Sequence, residues 1–207
     1  MKTNRAWATL LIQGLFSATL AASNPPVTIR LVNSGKAPNG TLETAEQQAG
    51  RVLAQAGIGI VWLDCSGGEV GPCGAPLRPV EFWLHVANWK PGAASPGELG
   101  FTLAAQDSEA RSELAGVYYP MVREMAALGS VEESLILAAT LAHEIGHLLG
   151  VGHSRTGVMT AGFNRRHIVE LSQGGFVFSN DQAARMRADV IRRSNTMPAF
   201  ASNSPLR

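Results

Sequence analysis

The chain reads as one α+β domain of about five strands and three main helices. Short β-branched, alternating or apolar runs sit between Gly- and Pro-rich loops, and three stretches read as helices, one from apolar residues at helical spacing and two from capping patterns. No internal repeat or second core emerges. The 207 residues, 45% of them apolar, are enough for one domain of ordinary size. With 17 Lys plus Arg against 16 Asp plus Glu there is no basic surplus to neutralise phosphates, which argues against a nucleic-acid partner.

In order along the chain, Val27 to Val32 is a β-branched run. Thr41 to Ala56 places Leu42, Ala45, Ala49, Val52, Leu53 and Ala56 near helical spacing, and Ile58 to Leu63 reads as a second strand. Alternation of Val80, Phe82, Leu84 and Val86 marks a third strand with one buried face. Leu99 to Leu103 and Ala115 to Tyr119 complete the sheet, the former at an edge because Gly100 interrupts it. Ser130 followed by Glu133 suggests a capped start for a largely buried helix over Leu135 to Leu149, and Gly150 stands where a helix ends. Ser179 with Gln182 opens a last helix to about Arg193.

The N-terminus indicates where the protein works. Lys2 and Arg5 precede an apolar stretch from Ala6 to Leu20, then the small residues Ala21, Ala22 and Ser23. This pattern is that of a cleaved secretory signal over residues 1–23, and the stretch is short for a span needing about 20 apolar residues. The expected organisation is a signal at 1–23, a domain at 24–195 and a polar tail at 196–207. The mature protein is then close to neutral, extracytoplasmic (secreted or periplasmic), monomeric and without stable membrane insertion. In an oxidising compartment Cys65 and Cys73, the only cysteines, most simply pair. Closing so small a loop contributes about 2 to 3 kcal/mol.

Residues 143 to 153 read HEIGHLLGVGH and hold three of the five histidines in the chain. His143 and His147 lie one helical turn apart, so both rings leave the same face and can bind one ion at about 2.0 to 2.1 Å. Gly150 turns the chain so that His153 can return as a third ligand, and the fourth position stays open. Glu144 is near the ion without coordinating it, as a general base must be. Three neutral imidazoles leave a zinc ion its full charge, so it can activate a water for amide hydrolysis. A purely structural zinc site normally has four protein ligands, and no fourth lies close in sequence.

This run resembles the extended zinc motif of the metzincin metallopeptidases at every fixed position, and Met159 in Gly157-Val158-Met159-Thr160 resembles their Met-turn. The resemblance covers most of Val27 to Arg193 and implies a metzincin-like zincin domain. Such a domain has a twisted mixed sheet, an active-site helix carrying HExxH, and one catalytic zinc on His143, His147 and His153. It also implies Glu144 as general base and Met159 as an apolar floor. His153 followed by Ser154 is closest to the matrixin branch. Ala161 stands where astacin-like and serralysin-like enzymes have a tyrosine ligand, and no His between Leu103 and Ala115 is present for a second zinc. Pro72, Cys73, Gly74 and Pro76 resemble an inhibitory cysteine switch, an alternative to the disulfide, although the segment lies between strands and Cys65 is at hand.

These features point to an exported zinc endopeptidase acting on peptides or unfolded protein, with the substrate added to the edge strand Leu99 to Leu103. Tyr119, Leu141 and Thr160 to Phe163 are expected to wall the specificity pocket. Tyr118, Tyr119 and His167 are candidate oxyanion donors, though packing or surface roles suit each better, and His85 reads as structural. The rival readings are a zinc amidase acting on cell-wall peptides and a non-catalytic exported zinc-binding protein.

Overall fold

Val27–Asn33 forms β1, and its alternation sends Val27, Ile29 and Leu31 to a helix-covered core while Arg30 faces the other way. The computed structural model describes residues 24–92, 97–103 and 112–196. The expected signal at 1–23 lies outside the described residues, as does all but Thr196 of the tail. After β1 come α1 (Asn39–Gln55) and β2 (Ile60–Asp64), then a single 3-10 turn at Gly71–Gly74. The sheet continues with β3 (Glu81–Ala87), β4 (Gly100–Thr102) and β5 (Leu114–Tyr118). Its order is β2-β1-β3-β5-β4, with β4 antiparallel to β5 and all other neighbours parallel. A mixed five-stranded sheet with β4 at its edge is therefore present, as expected.

Among the described residues there are five helices rather than three. The expected ones are α1, α3 (Glu133–Leu148) and α5 (Asn180–Ser194); α2 (Tyr119–Gly129) and α4 (Arg165–Ser172) are additional. β5 runs straight into α2 with no intervening turn, and Pro120 sits in the first helical turn, where a missing N–H costs nothing. Ser130 does not cap α3. It closes α2 instead, in a left-handed conformation with φ of 51°, while Glu132 is the N-cap of α3 and makes no side-chain cap.

Helix α3 is buried on most sides: Ile136, Leu137, Leu141 and Ile145 are fully enclosed, packed against α1, α2 and β5. Each such side chain contributes about 1.5 to 3 kcal/mol relative to exposure. Its end is tightly specified. Gly150, with φ of +78°, donates to the His147 carbonyl at 2.9 Å, and Val151 N–H donates to the Gly146 carbonyl at 3.0 Å. From α5, Arg193 donates to the Leu148 carbonyl at 3.1 Å and also pairs with the buried Asp189. The expected capping box of α5 forms, with Ser179 and Gln182 bonding reciprocally.

Cys65 and Cys73 form a disulfide, so Cys73 does not serve as an inhibitory thiol. The bridged loop is held to the sheet by Arg30, which donates to the carbonyls of Ala75 at 2.5 Å and Pro76 at 3.3 Å and pairs with buried Glu81 at 2.5 Å. No helix among the described residues is long and apolar enough to cross a membrane.

Candidate metal centre

α3 supplies His143, Glu144 and His147, and the glycine turn after it returns the chain to His153. The ring atoms able to ligate a metal all lie within 4.8 Å of one another. Nε2 of His147 is 3.0 Å from Nε2 of His143 and 3.1 Å from Nε2 of His153. His143 Nδ1 is 2.7 Å from the Val158 carbonyl, and His147 Nδ1 is 2.8 Å from the Val151 carbonyl. A carbonyl can only accept, so Nδ1 carries the hydrogen in both rings and Nε2 presents a lone pair. Lone pairs of His143 and His147 this close repel unless a cation lies between them. Two ligands at about 2.0 to 2.1 Å in tetrahedral geometry stand about 3.3 Å apart, so the donor set fits zinc.

Burial pushes the His143 imidazole down to about 4, against the Val158 hydrogen bond and with help from repulsion by His147 and His153. Burial also lowers His147. Both rings are neutral near pH 7, the form that ligates.

The turn below the histidines is built from Gly157, whose φ is +76° and whose carbonyl accepts from Thr160 N–H at 3.1 Å. Ser154 N–H donates to the Met159 carbonyl at 2.8 Å. Met159 is fully buried, and its Sδ lies 2.5 Å from where a β-carbon on Gly146 would stand. Gly146, between the two helical histidines, is therefore required by the methionine beneath them. The Val158 carbonyl that orients His143 belongs to the same turn.

Glu144 is buried, at 3% exposure, and touches the edge strand. Thr102 Oγ1 donates to its Oε2 at 2.8 Å. A β-carbon on Gly100 would fall 2.6 Å from Oε1 and 2.6 Å from the Gly116 carbonyl, so this strand residue has to be glycine. Burial pushes the Glu144 carboxyl up to about 7, with the Thr102 hydroxyl opposing and the charge of Glu98 adding. A carboxyl near neutrality suits proton traffic in both directions.

Above the histidines lies a cleft of about 680 Å³, bounded on one side by residues 97–103 and on the other by Thr160 to Phe163. Phe163 N–H donates to the Gly97 carbonyl at 2.8 Å, joining the two walls. Tyr118 N–H donates to the Leu99 carbonyl and Leu103 N–H to the Leu114 carbonyl, so Leu99 and Leu103 bond toward β5. By strand alternation the backbone groups of Gly100 and Thr102 point outward, where an extended chain can pair with them.

Two expected pocket residues lie elsewhere. Tyr119 is turned away, its hydroxyl donating to Glu133 at 2.5 Å, and Leu141 is sealed in the core; Thr140 lines the cleft instead. Of the three oxyanion candidates, Tyr119 is committed to Glu133, His167 serves the start of α4, and Tyr118 lies near enough to Glu144 that its hydroxyl is pushed up by burial first and then by the charges of Glu98 and Glu144. Burial and Glu133 hold the Tyr119 hydroxyl protonated, Tyr118 packs among aromatic rings, and His167 caps α4 by accepting from Asn164 N–H. His85 packs edge-on against Trp83. Thr102 and Gly100 are the site residues the sequence reading missed. Their signal was faint: a glycine and a small hydroxyl residue two apart on the same face of an edge strand.

No protein-family model and no curated protein matches the sequence. Among solved structures the chain is similar to archaemetzincin from Methanopyrus kandleri, at 13% identity and a TM-score of 0.52 over 81% of this chain and 97% of that one. It also resembles metalloproteinase-II from Bacteroides fragilis, at 15% identity and a TM-score of 0.48, over 83% of this chain and 55% of that one. The first likeness establishes a shared α+β fold.

Proposed function

We propose that this chain is an exported, zinc-dependent endopeptidase of the metzincin type. The observation that carries the reading is the convergence of three imidazole Nε2 atoms beside a buried glutamate, in a cleft flanked by β4, the edge strand among the described residues. His143, His147 and His153 are the residues that would hold one zinc ion, with Met159 as the apolar floor below. The archaemetzincin-like fold supports a metallopeptidase. Within that class, His153 followed by Ser154 favours a matrixin-like branch, and Ala161 counts against the tyrosine-ligated ones.

When bound, zinc supplies a Lewis acid that acidifies water and polarises a carbonyl. The protein supplies the rest. Thr102 fixes the Glu144 carboxylate, which takes a proton from the attacking water and delivers it to the departing amine. The outward backbone groups of Gly100 and Thr102 align an extended peptide across the cleft. The pattern of residues 1–23 and the Cys65–Cys73 disulfide support an extracytoplasmic, oxidising location.

Mass spectrometry of a denatured protein mixture incubated with the mature chain tests this reading. Cuts within long peptides should appear, vanish with a chelator, and fall by about 10²- to 10⁴-fold in Glu144→Gln with zinc still bound. Cleavage of isolated cell-wall fragments alone would instead indicate an amidase, and no chelator-sensitive cleavage of either would indicate a binding protein.

A further inference from the structure

The edge strand that borders the cleft has a second face. Gly100 and Thr102 turn toward Glu144, so Phe101 between them stands on the side of the sheet away from α3. Its ring occupies the space left by Gly116 on β5, where a β-carbon would lie 2.4 Å from the Phe101 ring. Tyr118 stacks on Phe101 with centroids 5.4 Å apart, and Trp89 packs edge-on to Tyr118 at 4.9 Å and tilted to Phe101 at 6.2 Å. Two residues beyond Phe101, Leu103 continues the row. Tyr118 is buried beneath this group, yet Trp89 and Leu103 each keep 51% of their surface exposed.

Filling the gap left by a strand glycine needs only the Phe101 ring. The half-exposed Trp89 and Leu103 beside it leave apolar surface uncovered, and Phe101 and Leu103 also line the cleft that holds the histidines. A peptide paired with the outer edge of β4 would place alternate side chains on this same face. Residues directly opposite one another on paired strands have β-carbons about 4.5 to 5.5 Å apart, so peptide side chains there meet Phe101 and Leu103, and a long side chain reaches on toward Trp89, which packs against the Phe101 ring.

We propose that Trp89, Phe101 and Leu103 form a specificity shelf, braced by Tyr118, that selects aromatic or large apolar side chains at alternate positions of a peptide laid along β4. The inference rests on reading the cleft as a peptidase site and adds to it a substrate class: segments with the alternating apolar pattern of a half-buried strand, exposed when a protein unfolds. Aromatic rings gain most there, through edge-to-face and offset contacts with Trp89 and Phe101. A charged side chain at the same place would lose hydration against apolar neighbours.

Two measurements test the shelf. In cleavage-site profiles from a denatured protein mixture, at least one position relative to the cut should favour Phe, Tyr, Trp, Leu or Met over Ser by about tenfold or more. That preference should fall toward parity in Trp89→Ala and in Phe101→Ala while preferences at other positions persist. A purely structural role would lower the melting temperature and the total rate but leave the profile unchanged, which would overturn the proposal. The second measurement does not depend on turnover. Zinc-loaded Glu144→Gln is titrated with a soluble decapeptide carrying Phe at three alternate positions, and with its Ser counterpart, while tryptophan fluorescence is followed. The Phe peptide should bind about tenfold more tightly, with a spectral shift that disappears when Trp89→Phe is added. Equal affinities, or a shift that survives Trp89→Phe, would refute the shelf. Absence of cleavage by the wild-type chain would count against the peptidase reading, with this titration still deciding the shelf.

Discussion

Two polar clusters lie on opposite faces of the sheet, one buried and one opening into the cleft, and they follow opposite rules. On the face away from the helices, Arg30 and Glu81 pair at 2.5 Å, and Arg78 and three loop carbonyls use most of their remaining capacity. Opposite charges and hydrogen bonds close this cluster but for the Arg30 Nε, which is buried without a partner among the described residues. Around α3, His143 and His147 are fixed through Nδ1 by main-chain carbonyls, while their Nε2 atoms converge with that of the exposed His153. Buried polar groups that neutralise one another hold a fold together; imidazole lone pairs aimed at one point suit an ion.

The largest effect that sharpens the contrast comes from opening the closed cluster. Arg30→Ala strips buried Glu81 of its buried counter-charge, leaving it only the exposed Arg78, and should cost about 3 to 5 kcal/mol in denaturant unfolding, with zinc content per folded chain unchanged. Loss of zinc at full stability would contradict the division of roles.

Acid separates the two clusters next. The His143 imidazole, lowered from 6.5 to about 4, must take up a proton on unfolding, so chelator-treated protein is fully stabilised by it above pH 6.5. That contribution, about 3 kcal/mol, should be lost as pH falls from 6.5 to 4. Thermal melts of chelated His143→Gln should be much flatter across this window. Burial disfavours the charge on Glu81, but hydrogen bonds from Arg78 and Arg30 outweigh it and hold the carboxyl below 4.5. Its contribution is present above pH 4.5 and lost only as the medium becomes more acid than that.

A smaller effect falls at the junction of β4 with Glu144. Gly100→Ala would press a methyl against Glu144 Oε1 and should lower kcat about 10²-fold by misplacing the base, at a stability cost of about 1 to 3 kcal/mol. Normal kcat in this variant would show that the edge strand does not position Glu144.

Legibility in the sequence followed the range of the interaction. The zinc motif, the Gly150 stop and the capping box of α5 depend on residues three to ten positions apart, and each stands where its spacing indicates. The strands are readable from β-branching, alternation and short apolar runs. α2 leaves little trace in the sequence because Tyr118 ends a strand and Tyr119 begins a helix with no turn between them, and Ser130, whose spacing to Glu133 suggests a cap for α3, instead closes α2 in a left-handed conformation. α4 begins with an Asn164 cap whose reciprocal partner is His167 rather than Glu or Gln, which weakened its signal. Thr102 with Glu144, and Arg30 with Glu81, join residues 42 and 51 positions apart, pairings that only the folded sheet reveals.

Every proposed role at the site depends on the three imidazoles holding one zinc ion through Nε2. Plasma mass spectrometry of purified mature protein should find one zinc per chain in the wild type and in Glu144→Gln, and none in a folded His147→Ala variant. Protein with no transition metal after zinc-supplemented purification, or His147→Ala retaining a full equivalent, would contradict it.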